Sequence, residues 1–142
     1  MELESPIEEY KIVKHLHRTL PELKKFTQNH EEGGNRLFNV LKAYACYDNK
    51  LGYVQGMNYL AAMLLIHIED EVQAFWCFFS LLQRKNWRKV YDDETPKLMS
   101  MLEMMTKQLK TYDKALYTYL VDKQDLSMAA AFSPIFITLF IY

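Results

Sequence analysis

Two polar stretches of this chain carry residue types that could do chemistry. The first is Ile12-Val13-Lys14-His15-Leu16-His17-Arg18-Thr19-Leu20-Pro21. Arg18 falls near the end of a helical pattern and just before a proline, where a long cationic side chain can reach outward. Taken alone, an arginine at such a position is usually a surface charge that complements the helix dipole. The second stretch is Gly52-Tyr53-Val54-Gln55-Gly56-Met57-Asn58-Tyr59. A glutamine and an asparagine flanking a glycine at the start of an apolar helix suggest a backbone brought close to something, although both residue types also serve as helix caps.

Other sources of chemistry are missing from the sequence. It holds no GxxxxGK[ST] phosphate loop, GxGxxG turn, GxSxG elbow or HExxH zinc pair. His15 and His17 are two apart, so on a helix they point in different directions and cannot share a metal. Gly52 and Gly56 match GxxxG, but Gln55 and the polar flanks exclude its membrane-dimer meaning. The basic run Arg84, Lys85, Trp87, Arg88, Lys89 passes at once into acidic residues and reads as a solvated helix end. With a net charge of −1, no overall field favours nucleic acid or an anionic membrane.

The elements that must position the two stretches read as helices throughout. A length of 142 residues suits one domain, and half the residues are hydrophobic against a quarter charged. Only four glycines and four prolines punctuate the chain, too few for many short strands joined by tight turns. Ser5, Pro6 and Glu8 form a capping signal for a first helix, with Tyr10, Val13 and Leu16 on one side and a stop before Pro21. Gly33-Gly34-Asn35 reads as a break ahead of a second helix with the stripe Leu37, Phe38, Leu41, Tyr44 and Ala45. Asp48–Gly52 reads as a turn, and the apolar run Tyr59–Ile68 as a central helix. Asp70 and Gln73 cap the next helix, whose expected stripe is Val72, Phe75, Trp76, Phe79 and Leu82. Pro96 opens a helix along Leu98, Met101, Leu102, Met105 and Leu109, and Leu116 and Leu120 mark a shorter one. Cys46 and Cys77 fit buried, reduced thiols in a cytosolic setting. Leu126 to Tyr142 carries no charged residue and contains Pro134. It is expected to be a buried helix, with a membrane segment as the alternative.

Together, the two polar stretches resemble TBC domains, the Rab GTPase-activating proteins. IVKHLHRTLP is similar to that family's IxxDxxR-[ST]-x-P pattern, and GYVQGMNYL matches its YxQG[MLV]N pattern. The order, the separation, the downstream WCFFSLL helix and the closing FSPIFITLF stretch agree as well. The resemblance implies an all-α, multi-helix TBC-type domain over residues 1–142, an N-terminal portion whose C-terminal helices are missing. It also implies a mechanism in which Arg18 and Gln55 are the catalytic fingers, supported by His15, Thr19, Tyr53, Gly56 and Asn58. An arginine supplied in trans can accelerate GTP hydrolysis by about 10³–10⁵. Its planar, permanently charged fork matches phosphate oxygens, while a glutamine amide can accept from the attacking water and donate to a phosphate oxygen. The partner implied is a Rab-family small GTPase, which brings its own GTP and Mg. The chain then has no cofactor of its own, acts as an activator and not as a standalone enzyme, and meets membranes only through the Rab. Its expected place is cytoplasmic or peripheral on endomembranes.

The sequence departs from the pattern at His15, where the family has aspartate. A carboxylate there could hold Arg18 by a charge-assisted fork, which a histidine cannot reproduce, so reduced stimulation is expected. The arginine–tryptophan motif that usually precedes these stretches is also absent. The alternative reading is a non-catalytic TBC-like module that binds a Rab or serves as a scaffold.

Overall fold

The computed structural model describes residues 6–16, 19 and 30–141. Arg18, Ser5, His17 and Pro21 lie outside the described residues. Among those described, the regular structure is helical and no strand occurs. The chain divides into two compact units, one running to Asn86 and the other from Trp87 to Phe140.

The first unit holds α1 (Pro6–Leu16), α2 (His30–Tyr47), α3 (Met57–His67) and α4 (Glu71–Gln83). The α1 helix is described from Pro6, a residue whose fixed φ suits a first helical turn and whose missing N–H would have no partner there; the expected cap at Ser5 lies outside the described residues. Its buried position is Ile12, whereas Tyr10 and Val13 face outward. The expected stripe is thus corrected at Tyr10 and Val13, while its third residue, Leu16, is half-buried. The α2 helix begins before the glycine pair and runs through it, which corrects the expected break. Glycine costs a helix roughly 1 kcal/mol relative to alanine but does not forbid it. Here Leu37, Val40, Leu41, Tyr44 and Ala45, all buried, supply packing that offsets the loss. No close approach demands Gly34, since a Cβ there would meet nothing within 4 Å.

Asp48 closes the turn after α2, where its carbonyl accepts from Leu51 N–H at 3.1 Å and from Gly52 N–H at 2.8 Å. Helix α3 is central, with Met57, Asn58, Leu60, Ala61, Ala62 and Leu65 buried. Asp70 caps α4 by accepting from Gln73 N–H at 2.7 Å. The face of α4 that is buried is Ala74, Phe78 and Leu82; Phe78 meets Tyr44 edge to face at 5.2 Å. Val72 and Trp76, expected inside, are exposed, and so is Cys77, while Cys46 is half-buried. An almost wholly apolar helix gives no period from which its inner face can be chosen.

The second unit comprises the end of a 3₁₀ helix (Arg84–Val90), α5 (Pro96–Tyr112), the short α6 (Lys114–Tyr117), a π-helical turn (Thr118–Lys123) and α7 (Met128–Ile137). Leu98 and Leu102 are the buried positions of α5, and Tyr91 O–H donates to the Ile137 carbonyl at 2.6 Å. No residue of α7 is fully buried, so the expected buried helix is instead half-buried, with Pro134 inside it. Among the described residues no helix is long and apolar enough to cross a membrane.

Candidate functional site

The second polar stretch folds as a turn that leads into α3. Gly52 adopts φ 66° and Gly56 φ 104°, backbone regions that side chains with a Cβ rarely occupy. Gly56 O accepts from Tyr59 N–H at 3.2 Å and so begins the helix. Gln55 is exposed at the tip of this turn and has no side-chain hydrogen bond among the described residues. Of the two capping readings, Gln55 makes no cap, while Asn58 secures the turn from inside the helix.

Asn58 is 2% exposed. Its Oδ1 accepts from Gly56 N–H at 3.0 Å and from Tyr53 O–H at 3.2 Å. Its Nδ2 donates to Thr19 Oγ1 at 2.8 Å, and Thr19 Oγ1 in turn donates to the His15 carbonyl at 2.7 Å. The acceptor role toward the Gly56 amide fixes which Asn58 atom is oxygen, because the reversed amide would set two donors against each other. Thr19 is buried as well. Buried side chains with every polar atom partnered hold a unique geometry.

His15 closes the circuit. Its Nδ1 lies 3.0 Å from Tyr53 Oη, and the two rings are tilted 45° with centroids 5.7 Å apart. The single Tyr53 hydroxyl proton goes to Asn58, so His15 Nδ1 is the donor in this pair and carries a proton. Burial, aided by the neighbouring Tyr59, pushes the Tyr53 hydroxyl far above its ordinary pKa. It therefore stays a neutral phenol, able to donate and accept at once.

A residue that sequence reasoning assigned to helix capping belongs to this site. Glu8 Oε2 accepts from Tyr53 N–H at 2.8 Å, across 45 positions of sequence. Glu8 Oε1 accepts from Lys11 Nζ at 2.6 Å. Burial acts to raise the Glu8 pKa, but the hydrogen bonds from Lys11 and the Tyr53 amide, with the Lys11 charge, outweigh it and hold the carboxyl below its usual range. No local pattern in the sequence reveals this role, because only the packing of α1 brings Glu8 to the turn.

Of the expected site residues, His15, Thr19, Tyr53, Gly56 and Asn58 come together in one hydrogen-bonded circuit, with Gln55 at its exposed edge. Arg18 lies outside the described residues and adjoins Thr19 in the sequence. No group of three or more metal-ligating side chains occurs among the described residues. A cavity of about 190 Å³ between α2 and α4, lined by Asn39, Val40, Ala43, Glu71, Val72 and Phe75, contains none of the site residues. It is smaller than the roughly 300 Å³ of an ordinary small-ligand pocket. The arrangement thus offers a rigidly backed, outward-facing amide on a turn, suited to a partner that comes to it.

Comparison with known proteins identifies the family. The family model of the Rab-GTPase-TBC domain matches residues 2–142. The mouse protein "TBC1 domain family member 4" is 32% identical over 133 residues, 94% of this chain and 10% of its own length. The Saccharomyces cerevisiae "GTPase-activating protein GYP5" is 32% identical over 79% of this chain and 12% of its own length. The Arabidopsis thaliana "Rab GTPase-activating protein 22" is 37% identical over 63% of this chain and 16% of its own length. The chain spans between a tenth and a sixth of these relatives. With an all-helical fold, an intact Tyr53–Asn58 turn and a match along nearly its whole length, the chain belongs to the Rab-GTPase-TBC domain family.

Proposed function

We propose that this chain stimulates GTP hydrolysis by a Rab-family GTPase, with Arg18 and Gln55 supplied in trans. The observation that carries the reading is the bond between Asn58 Nδ2 and Thr19 Oγ1. It ties the turn bearing Gln55 to Thr19, which follows Arg18 directly in the sequence.

Charge builds on the γ-phosphoryl oxygens as the bond to the leaving phosphate breaks. The Arg18 guanidinium would neutralise that charge, while the Gln55 amide would accept from the attacking water and donate to a phosphoryl oxygen. The GTP and Mg belong to the GTPase, which brings the chain to membranes when it is itself bound there. Relatives named as Rab GTPase-activating proteins support this partner class.

A panel of Rab-family GTPases, each assayed for single-turnover hydrolysis, tests the proposal. Acceleration of at least one, lost with Arg18→Ala and with Gln55→Ala, is the expected result. Acceleration that survives both substitutions, or none with any GTPase, would sink it. The position of His15 favours a second reading, a module that binds a Rab without stimulating it, because a histidine donating to Tyr53 supplies no carboxylate for Arg18. GTP-dependent binding without acceleration is its signature, and His15→Asp would then restore a measurable rate.

A further inference from the structure

Resting on the GTPase-activating reading, we propose that Glu8 is a positioning residue for Gln55, acting as a clamp on the backbone of its turn. Gln55 sits between two amides that are each held by a side-chain acceptor. Ahead of it, Tyr53 N–H donates to Glu8 Oε2 at 2.8 Å; behind it, Gly56 N–H donates to Asn58 Oδ1 at 3.0 Å. The Gln55 side chain is exposed, so its aim depends on the backbone that carries it. Glu8 is the one of the two acceptors that belongs to another helix, and it thereby fixes the turn against α1.

The surroundings of Glu8 fit this role. Lys11, on the next turn of α1, holds the other carboxylate oxygen at 2.6 Å and so restricts the rotamer. Gly52 leaves the space: a Cβ there would stand 2.9 Å from Glu8 Oε2. Glu8 approaches Gln55 only through the peptide backbone, so its effect on the reaction would come through geometry. A misplacement of about 1 Å in a reacting group can cost on the order of 10²-fold in rate, and a site gains when neighbours lock its position.

Two readouts on the 142-residue chain test the clamp. Amide hydrogen exchange over residues 53–57 reports the turn without any GTPase. Single-turnover hydrolysis against chain concentration separates the maximal stimulated rate from the half-saturating concentration. Glu8→Ala is expected to speed exchange in that segment about tenfold, leave α4 unchanged, and lower the maximal rate about tenfold. Half-saturation should stay within about twofold, because no contact with the partner is removed. Glu8→Gln keeps an acceptor oxygen and should recover most of the rate. Should Glu8→Ala fold poorly, Lys11→Ala loosens the same carboxylate and should give the same split at about threefold. Unchanged exchange in a chain that activates a GTPase overturns the clamp alone, and so does a loss confined to half-saturation. A wild-type chain that accelerates no Rab-family GTPase overturns the activating reading and the positioning role with it.

Discussion

The two compact units differ in where they place left-handed backbone. In the first, the turn that carries Gln55 puts positive φ on Gly52 and Gly56. In the second, it falls on Glu94, Thr95, Asp125, Leu139 and Phe140, with Asn86 at the boundary. A residue with a Cβ loses roughly 1–2 kcal/mol in that region, and a glycine does not. The first unit also surrounds its turn with a buried core from Ile12 to Leu82, whereas among the described residues the second buries Val90, Tyr91, Leu98, Leu102 and Thr138 and none of the residues of α7. Strain-free turns backed by a packed core are what a precisely aimed side chain needs. The difference assigns geometric exactness to the unit that holds the candidate site.

Substitutions can break or sharpen this contrast. The largest effect is expected from Asn58→Ala, which leaves the Gly56 amide and the Tyr53 hydroxyl without their buried acceptor. A loss of about 3 kcal/mol by denaturant unfolding should follow, together with most of the stimulated hydrolysis. A stability change under about 1 kcal/mol would mean that the circuit is not what fixes the turn. Gly56→Ala forces a Cβ onto φ 104° and should cost about 2 kcal/mol, with the maximal hydrolysis rate falling more than binding does.

In the second unit the sign reverses. Thr95 adopts φ 44° and ψ 50° without making a side-chain cap bond to α5, so Thr95→Gly should stabilise by about 1 kcal/mol, visible as a raised Tm. A lowered Tm would show that the strain is offset by contacts of the threonine. The smallest effect is the pH dependence of the Glu8 clamp. The folded pKa of Glu8 lies below its unfolded value, so its contribution is fully present above the unfolded pKa of about 4.3 and is lost as pH falls through the folded one. Glu8→Gln should flatten the stability profile in that acidic window and, near neutrality, lower it by an amount that does not vary with pH.

The sequence by itself determined the helical class, the turn at Asp48–Gly52, the cap at Asp70 and the residues of the Gln55 turn. These are local matters: aspartate before a helix and glycine at positive φ act within a few residues of themselves. The inner faces of α2 and α5 were legible as well, at Leu37, Leu41, Tyr44 and Ala45 and at Leu98 and Leu102, whereas for α1 and α4 the tertiary structure alone decided which face goes inside. Tyr10 and Val13 gave way to Ile12, and Trp76 to Phe78, because a helix with apolar residues on several sides carries no single period to read. It carried α2 through Gly33 and Gly34 because burial further along the helix outweighs a propensity penalty of roughly 1 kcal/mol each. It also set Glu8 on the Tyr53 amide and His15 on the Tyr53 hydroxyl. Both contacts join positions far apart in the chain, 45 residues in one case and 38 in the other, and such contacts exist only once α1 has packed beside the turn.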